Sequence, residues 1–362
     1  MAQPVSFHLD ERMFGESERP LAASGALGIS AFRYRSGVAA LRIQNGVGSA
    51  ILLPFQGQQV WDAEFLGRRL TMRSMFDEPL PTRDYLATYG AFFIHCGGTS
   101  MGNPGPDDTH PLHGELPNLP YQEAALVLGE DSTGAYVELT GSGGDRRAFG
   151  HDFEARPRLR IYEGATFFDT TIEVENRSLK PMPFLYLAHI NFRPIDGGVL
   201  IDTVRDDARD AIVRVPNLAE DATPSVRDYH DAVAKSPSHH RVLEAGQAIE
   251  PEIVLTMKAA ADNDGWTHAL QRLPDGGGDF VSYRPADLPY AVRWITRSGD
   301  QDALGLVLPA TAAPDGLAAA TRNGQLVWIE PGHAFRTDFR FGAVDARACR
   351  SLQSTIEAIR GS

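Results

Sequence analysis

Cysteine is nearly absent: two in 362 residues exclude a disulfide framework, and neither Cys96 nor Cys349 has a partner at the Cys-x-x-Cys spacing used for zinc or dithiol chemistry. Both are expected to be spectator thiols. A basic block is missing as well. The formal net charge is -13, with acidic residues spread along the chain, so nothing tracks a phosphate backbone or an anionic bilayer, and neither nucleic acid nor membrane is expected as a partner. No stretch approaches the roughly 18 apolar residues that span a membrane. Residues 1–12 lack the basic-then-apolar pattern of an export signal, so a cytoplasmic protein is expected.

Long helical periodicity is also scarce. Instead 35 Gly and 24 Pro punctuate a chain that is 43% hydrophobic, a composition of many turns and a sizeable core. Period-two alternation dominates. Val38–Ile43, Ser49–Leu53, a hairpin over Gln58–Leu70 turning near Gly67, and Ala135–Leu139 ending in a glycine-rich turn at 141–144 all read as strands. In Thr166–Glu175, Phe168, Thr170, Ile172 and Val174 share one face, opposite Asp169, Thr171, Glu173 and Glu175. Further strands are expected at Phe184–Ile190, Glu252–Met257, Ala291–Thr296, Leu304–Leu308, Leu326–Ile329 and Phe335–Phe341. With little helix to supply parallel crossovers, the expected fold is all-β, a large antiparallel β-sandwich. Cys349, Leu352, Ile356 and Ile359 repeat at helical spacing behind Asp345, a cap, which predicts a short C-terminal packing helix. One domain over 1–362 is expected, with its core sandwich about 38–341 and the helix about 345–360. The polar segment 217–247 reads as a long loop, with His239 and His240 solvated.

The chemistry-bearing residues centre on two histidines. His113, in His-Pro-Leu-His-Gly-Glu, and His189, in Leu-Ala-His-Ile-Asn-Phe, each lie where an apolar segment meets a glycine-rich or polar break. Such places present titratable groups to ligands, and imidazoles near neutral pH suit acid/base work. On extended chain Glu115 projects from the face of His113. The glycines at 97, 98, 102 and 105 allow His95, His110 and His113 to approach a small polar ligand. His110, His113, Glu115 and His189 also form an acceptable metal-ligand set, which leaves a metal-dependent reading open.

Leu112-His113-Gly114 resembles the Leu-His-Gly motif of galactose mutarotases (aldose 1-epimerases). Val174-Glu175-Asn176, Pro181–Phe184 and His189-Ile190-Asn191-Phe192 resemble their strand-turn-strand ending in His-x-x-Phe. Cys96-Gly97, Pro309-Ala310-Thr311 and Pro331-Gly332 extend the match to an uncharacterised aldose-epimerase-like branch, over roughly Val38 to Phe341. The resemblance implies the galactose mutarotase-like supersandwich, a carbohydrate in a cleft of one sheet, and no cofactor. It makes His189 the general acid at the ring oxygen and His113 its partner at the anomeric centre.

One element departs from that pattern. Where the family's late glutamate is expected, this chain has Leu308, which accepts no proton. Glu115 and Glu252 are the candidate replacements, while Glu330 matches a later turn. Trp61 is a candidate sugar platform, and His95, Asp62, Arg83 and Asn191 are candidate contacts to hydroxyls. The leading expectation is an isomerase exchanging the anomers of a free sugar or sugar derivative. A metal-dependent sugar isomerase or lyase and a non-catalytic carbohydrate-binding protein stand beside it, and a homodimer is allowed.

Overall fold

A computed structural model describes residues 3–205, 211–214 and 222–361. Among the described residues the strands form two antiparallel sheets, one of nine strands and one of thirteen. The nine-stranded sheet is centred on Asp152–Tyr162, Phe167–Asn176 and Ala334–Val344. The larger one runs from Ala211–Arg214 and Ile249–Met257 through Tyr290–Arg297, Asp302–Ala310, Met182–Ile190 and Phe93–Gly98 to a meander of N-terminal strands that begins before Val38. This is the all-β antiparallel sandwich that the alternation predicts. No described helix is long and apolar enough to cross a membrane.

Alternation decides which faces meet. Along Phe167–Asn176 every second residue is buried, so Phe168, Thr170, Ile172 and Val174 point inward. The outward carboxylates of Glu173 and Glu175 pair with Arg156. Phe168 stacks on Phe341 at 5.1 Å within its own sheet, and Phe93 of the opposing sheet meets Phe341 at 4.9 Å. Aromatic rings thus join the two layers through the large apolar area they bury. The C-terminal helix Ala346–Gly361 begins where Asp345 accepts the Ala348 amide at 2.8 Å, and it seats Cys349 and Ile356 against Ile201 and Leu270.

Two local expectations are corrected. Residues 141–144 are not a turn, because the strand Ala135–Arg146 runs through them. A side chain at Gly141 would overlap Gln58 and the Glu123 carbonyl, and one at Gly143 would press on Tyr121, so these glycines admit neighbours rather than reverse the chain. The segment 217–247, of which 217–221 lie outside the described residues, holds the helix Pro224–Lys235 and a 3-10 turn Pro237–Arg241. His240 is buried there, not solvated.

The Arg293 guanidinium, fully enclosed, holds His240 in place by donating to its Nε2 at 2.8 Å. It also binds the Leu306 carbonyl and lies 3.0 Å from Asp202, which Arg241 grips from the other side. Burial pushes the Asp202 carboxyl upward, but Arg293 and Arg241 outweigh it and hold it below the usual range. Breaking a buried pair strands a charge, so Arg293→Met is expected to cost about 3 kcal/mol. Urea unfolding followed by tryptophan fluorescence measures this. A loss below about 1 kcal/mol would mean the cluster contributes little.

Candidate functional site

The outer face of the larger sheet carries a cavity of about 310 Å³, near the lower end of the range for small-molecule sites. Alternate residues of adjacent strands line it: Leu187 and His189, Leu308, Val292 and Trp294, and Glu252 and Val254. Tyr85, Tyr89, Leu112, His113 and Pro314 complete the wall from loops. His113 and His189 therefore share one cavity, their ring centroids 5.3 Å apart and their planes nearly perpendicular. Trp294 is half-buried and packs edge-on to His189 at 5.5 Å, an indole beside the imidazole pair.

Backbone contact between two glycines delivers His113. Gly97 donates to the His113 carbonyl at 2.7 Å, Leu116 donates back to Gly97 at 2.9 Å, and Gly97 and Gly114 form a parallel bridge. The Cys-Gly and Leu-His-Gly motifs are thus two halves of one joint. His113 and Gly114 both have positive φ, 60° and 79°, which bends the chain and turns the imidazole over the sheet. At Gly97, φ is 116° and a methyl would overlap the Leu185 carbonyl. Gly97→Ala is expected to cost at least about 2 kcal/mol and to dislodge His113. A urea midpoint unchanged from wild type would count against this joint.

The same bend corrects the expectation for Glu115. Because residues 113 and 114 are not extended, its carboxylate points away from the cavity and accepts the Thr99 amide at 2.8 Å and the Thr99 hydroxyl at 2.7 Å. His110 also faces elsewhere, its Nε2 accepting the Leu317 amide at 3.3 Å. The ligand set His110, His113, Glu115 and His189 is not assembled, and no group of three or more metal-ligating side chains occurs among the described residues.

Strand alternation settles His95, and contacts elsewhere settle the others. His95 sits one step from Ile94 and Cys96, which pair with His189 and Leu187, so it points into the sandwich and bonds Tyr186 at 2.7 Å. Trp61 is buried against Gly90, Asp62 pairs with Arg69 at 2.8 Å, and Arg83 binds the Glu115 carbonyl and Asp145. None of these four lines the cavity. Glu252 does line it, and so does Leu308, the residue standing in place of the expected glutamate. Asn191 lies behind His189. Sequence reasoning missed Tyr85, Tyr89 and Trp294. Trp294 could have been found as the aromatic member of one face of a strand already recognised.

Electrostatics overturn the expectation that both histidines titrate near neutrality. Burial pushes His189 down to about 4, against a small opposing effect of Asn191. Burial also carries His113 well below the usual imidazole range, with His189 and His110 adding to the shift. Both rings are neutral at pH 7. His113 Nδ1 is buried with no hydrogen-bond partner, a polar atom left for a ligand to satisfy. Glu252 is the one charged side chain among the described lining residues.

Fold and site together define a class: a galactose mutarotase-like β-sandwich with two imidazoles converging on a cavity of its larger sheet. More particularly, the chain belongs to the family described as a domain of unknown function, DUF4432, whose sequence profile matches residues 35–343. Among solved structures it is similar to a candidate aldose 1-epimerase from Klebsiella pneumoniae, with TM-score 0.84 and 16% identity over 99% of this chain and 97% of that one. It is also similar to a galactose mutarotase-like protein from Clostridium acetobutylicum, with TM-score 0.57 and 15% identity over 88% and 99%. A third is galactose 1-epimerase from Lactobacillus acidophilus, with TM-score 0.53 and 11% identity over 90% and 98%. At such identities the likeness establishes the fold. No curated protein matches the chain.

Proposed function

We propose that this protein is an isomerase of aldose 1-epimerase type, binding a sugar ring in the His113–His189 cavity and exchanging its anomers by acid/base chemistry. The observation that carries this reading is the convergence of two imidazoles, distant in the chain, at 5.3 Å on one cavity. A cyclic hemiacetal opens when its anomeric hydroxyl loses a proton and its ring oxygen gains one, so groups able to accept and donate protons beside the anomeric carbon are what the reaction requires. Trp294 supplies a platform for the apolar face of the ring, and His113 Nδ1 has a hydrogen bond to give or receive. The names of the structural neighbours point the same way. Glu252, which lines the cavity where Glu115 does not, is on this reading the carboxylate that contacts the sugar.

The test is direct. Freshly dissolved single anomers of a broad sugar panel are mixed with the protein, and equilibration is followed by optical rotation or anomeric NMR. Faster equilibration for at least one sugar is expected. Saturable binding of a sugar with no acceleration of any would make the cavity a binding site alone.

A further inference from the structure

Asn191 determines which nitrogen of His189 meets a ligand. Its Nδ2 donates to the Ala91 carbonyl at 2.9 Å, and reversing the amide would set two carbonyl oxygens against each other. Oδ1 is therefore an acceptor on its other side, where it takes the Tyr89 hydroxyl at 3.1 Å and His189 Nδ1 at 2.8 Å. Nδ1 must carry a hydrogen. The buried ring is neutral at pH 7, so it holds one proton only, and Nε2 is left as an open lone pair.

We propose that His189 enters the reaction as the proton acceptor at the anomeric hydroxyl rather than as a pre-formed imidazolium, and that Asn191 and Tyr89 are positioning residues that hold its Nδ1–H tautomer. This rests on the anomer-exchange reading above. In the opening step Nε2 takes the proton of the anomeric hydroxyl, and the freed electron pair forms the carbonyl. The bond from the anomeric carbon to the ring oxygen breaks, its electron pair stays on the ring oxygen, and that oxygen takes the proton back from Nε2. Both oxygens are attached to the same carbon, so one nitrogen can serve them in turn. The product is the open-chain aldehyde with His189 neutral again. Rotation about the adjacent carbon–carbon bond and reversal of the step on the other carbonyl face give the second anomer.

The scheme removes the need for a carboxylate where Leu308 stands. His113, through its unpartnered Nδ1, serves as a neutral hydrogen-bonding group to the sugar. The titratable groups facing His189 are His113, Tyr85 and Tyr89, with Glu252 on the same cavity wall. Tyr85 and Tyr89 are carried well above the usual phenol range, by burial first, and remain protonated.

The experiment uses wild-type protein labelled with 15N-histidine, the His189 signal being assigned by its loss in His189→Gln. The expected spectrum at neutral pH is that of the Nδ1–H tautomer, with an unprotonated Nε2. A base already deprotonated also gives an exchange rate that is flat between about pH 5.5 and 8, whereas a required imidazolium gives one that rises about tenfold per unit as pH falls. In Asn191→Ala the tautomers are expected to mix, and kcat to fall about tenfold while KM moves less than about threefold. Active protein showing the Nε2–H tautomer, or a rate climbing with acid, overturns this assignment alone. Wild-type protein that accelerates no sugar overturns the anomer-exchange reading and the assignment with it. The spectrum and the pH profile use wild-type protein, so both stand even where Asn191→Ala fails to fold.

Discussion

Replacing His189 by alanine is expected to lower kcat for anomer exchange by about 100- to 10,000-fold, the usual worth of one positioned proton transfer. The ring is built into the site from three sides. Asn191 holds Nδ1, His113 stands perpendicular at 5.3 Å, and Trp294 and Tyr89 meet its edges at 5.5 and 5.8 Å. Neither His95 nor His110 can swing into its place, because His95 faces the sandwich interior and His110 is bound to the start of the helix Leu317–Arg322. His113→Ala is expected to cost less, about 10- to 100-fold, since the proposed scheme gives His113 a hydrogen bond to the sugar rather than the role of base. Optical rotation with the fastest sugar of the panel reads both variants, and near-ultraviolet circular dichroism checks that each remains folded. A His189→Ala protein that is folded and retains wild-type kcat would refute the central role of this ring.

The second large effect is acid lability. Among the described residues four imidazoles are pushed furthest down: His95 and His240 to about 3, His189 to about 4, and His113 well below its usual range, burial being the first cause in each. In the unfolded chain each returns to about 6.5. The unfolded state therefore binds more protons than the folded one whenever pH lies between those values. Stability is fully present above about pH 6.5 and declines as pH falls toward 4, by about 2–3 kcal/mol at pH 4.5 for each of His95, His240 and His189, with His113 adding in the same direction. Typical domain stabilities are only about 5–15 kcal/mol, so unfolding in mild acid is expected. Urea midpoints at pH 7.5, 6 and 5 test this, and a midpoint constant over that range would contradict the burial of these rings.

Much of the fold was legible because β alternation is a local signal. The inward face of Phe167–Asn176 follows from period two alone, and the C-terminal helix follows from apolar spacing behind a capping aspartate. The glycines at 141–144 misled because an unbranched strand residue and a turn residue carry the same letter, and only Gln58 and Tyr121 packing across the strand separate them. His240 misled for a related reason. A polar, aperiodic segment reads as solvated until Arg293 and Asp202, far along the chain, are seen to enclose it.

The candidate site divides the same way. Residue type and position marked His113 and His189, which are properties of the chain itself, and the resemblance to mutarotases marked Leu308 as standing where a carboxylate is expected. Which carboxylate, tryptophan and histidine surround the cavity was settled by phase and partner. Glu252 and Trp294 line it while His95 does not, because one step along a strand exchanges the two faces of a sheet, and Trp61 lies on the strand Val60–Phe65, which contributes nothing to the wall. Glu115 was lost to Thr99 because positive φ at residues 113 and 114 broke the extended geometry its candidacy assumed. Strand character, capping and motif order are written in neighbouring residues, and the sequence by itself determined them. Protonation state, tautomer and the membership of the cavity depend on burial and on contacts between distant segments, and only the tertiary structure decided those.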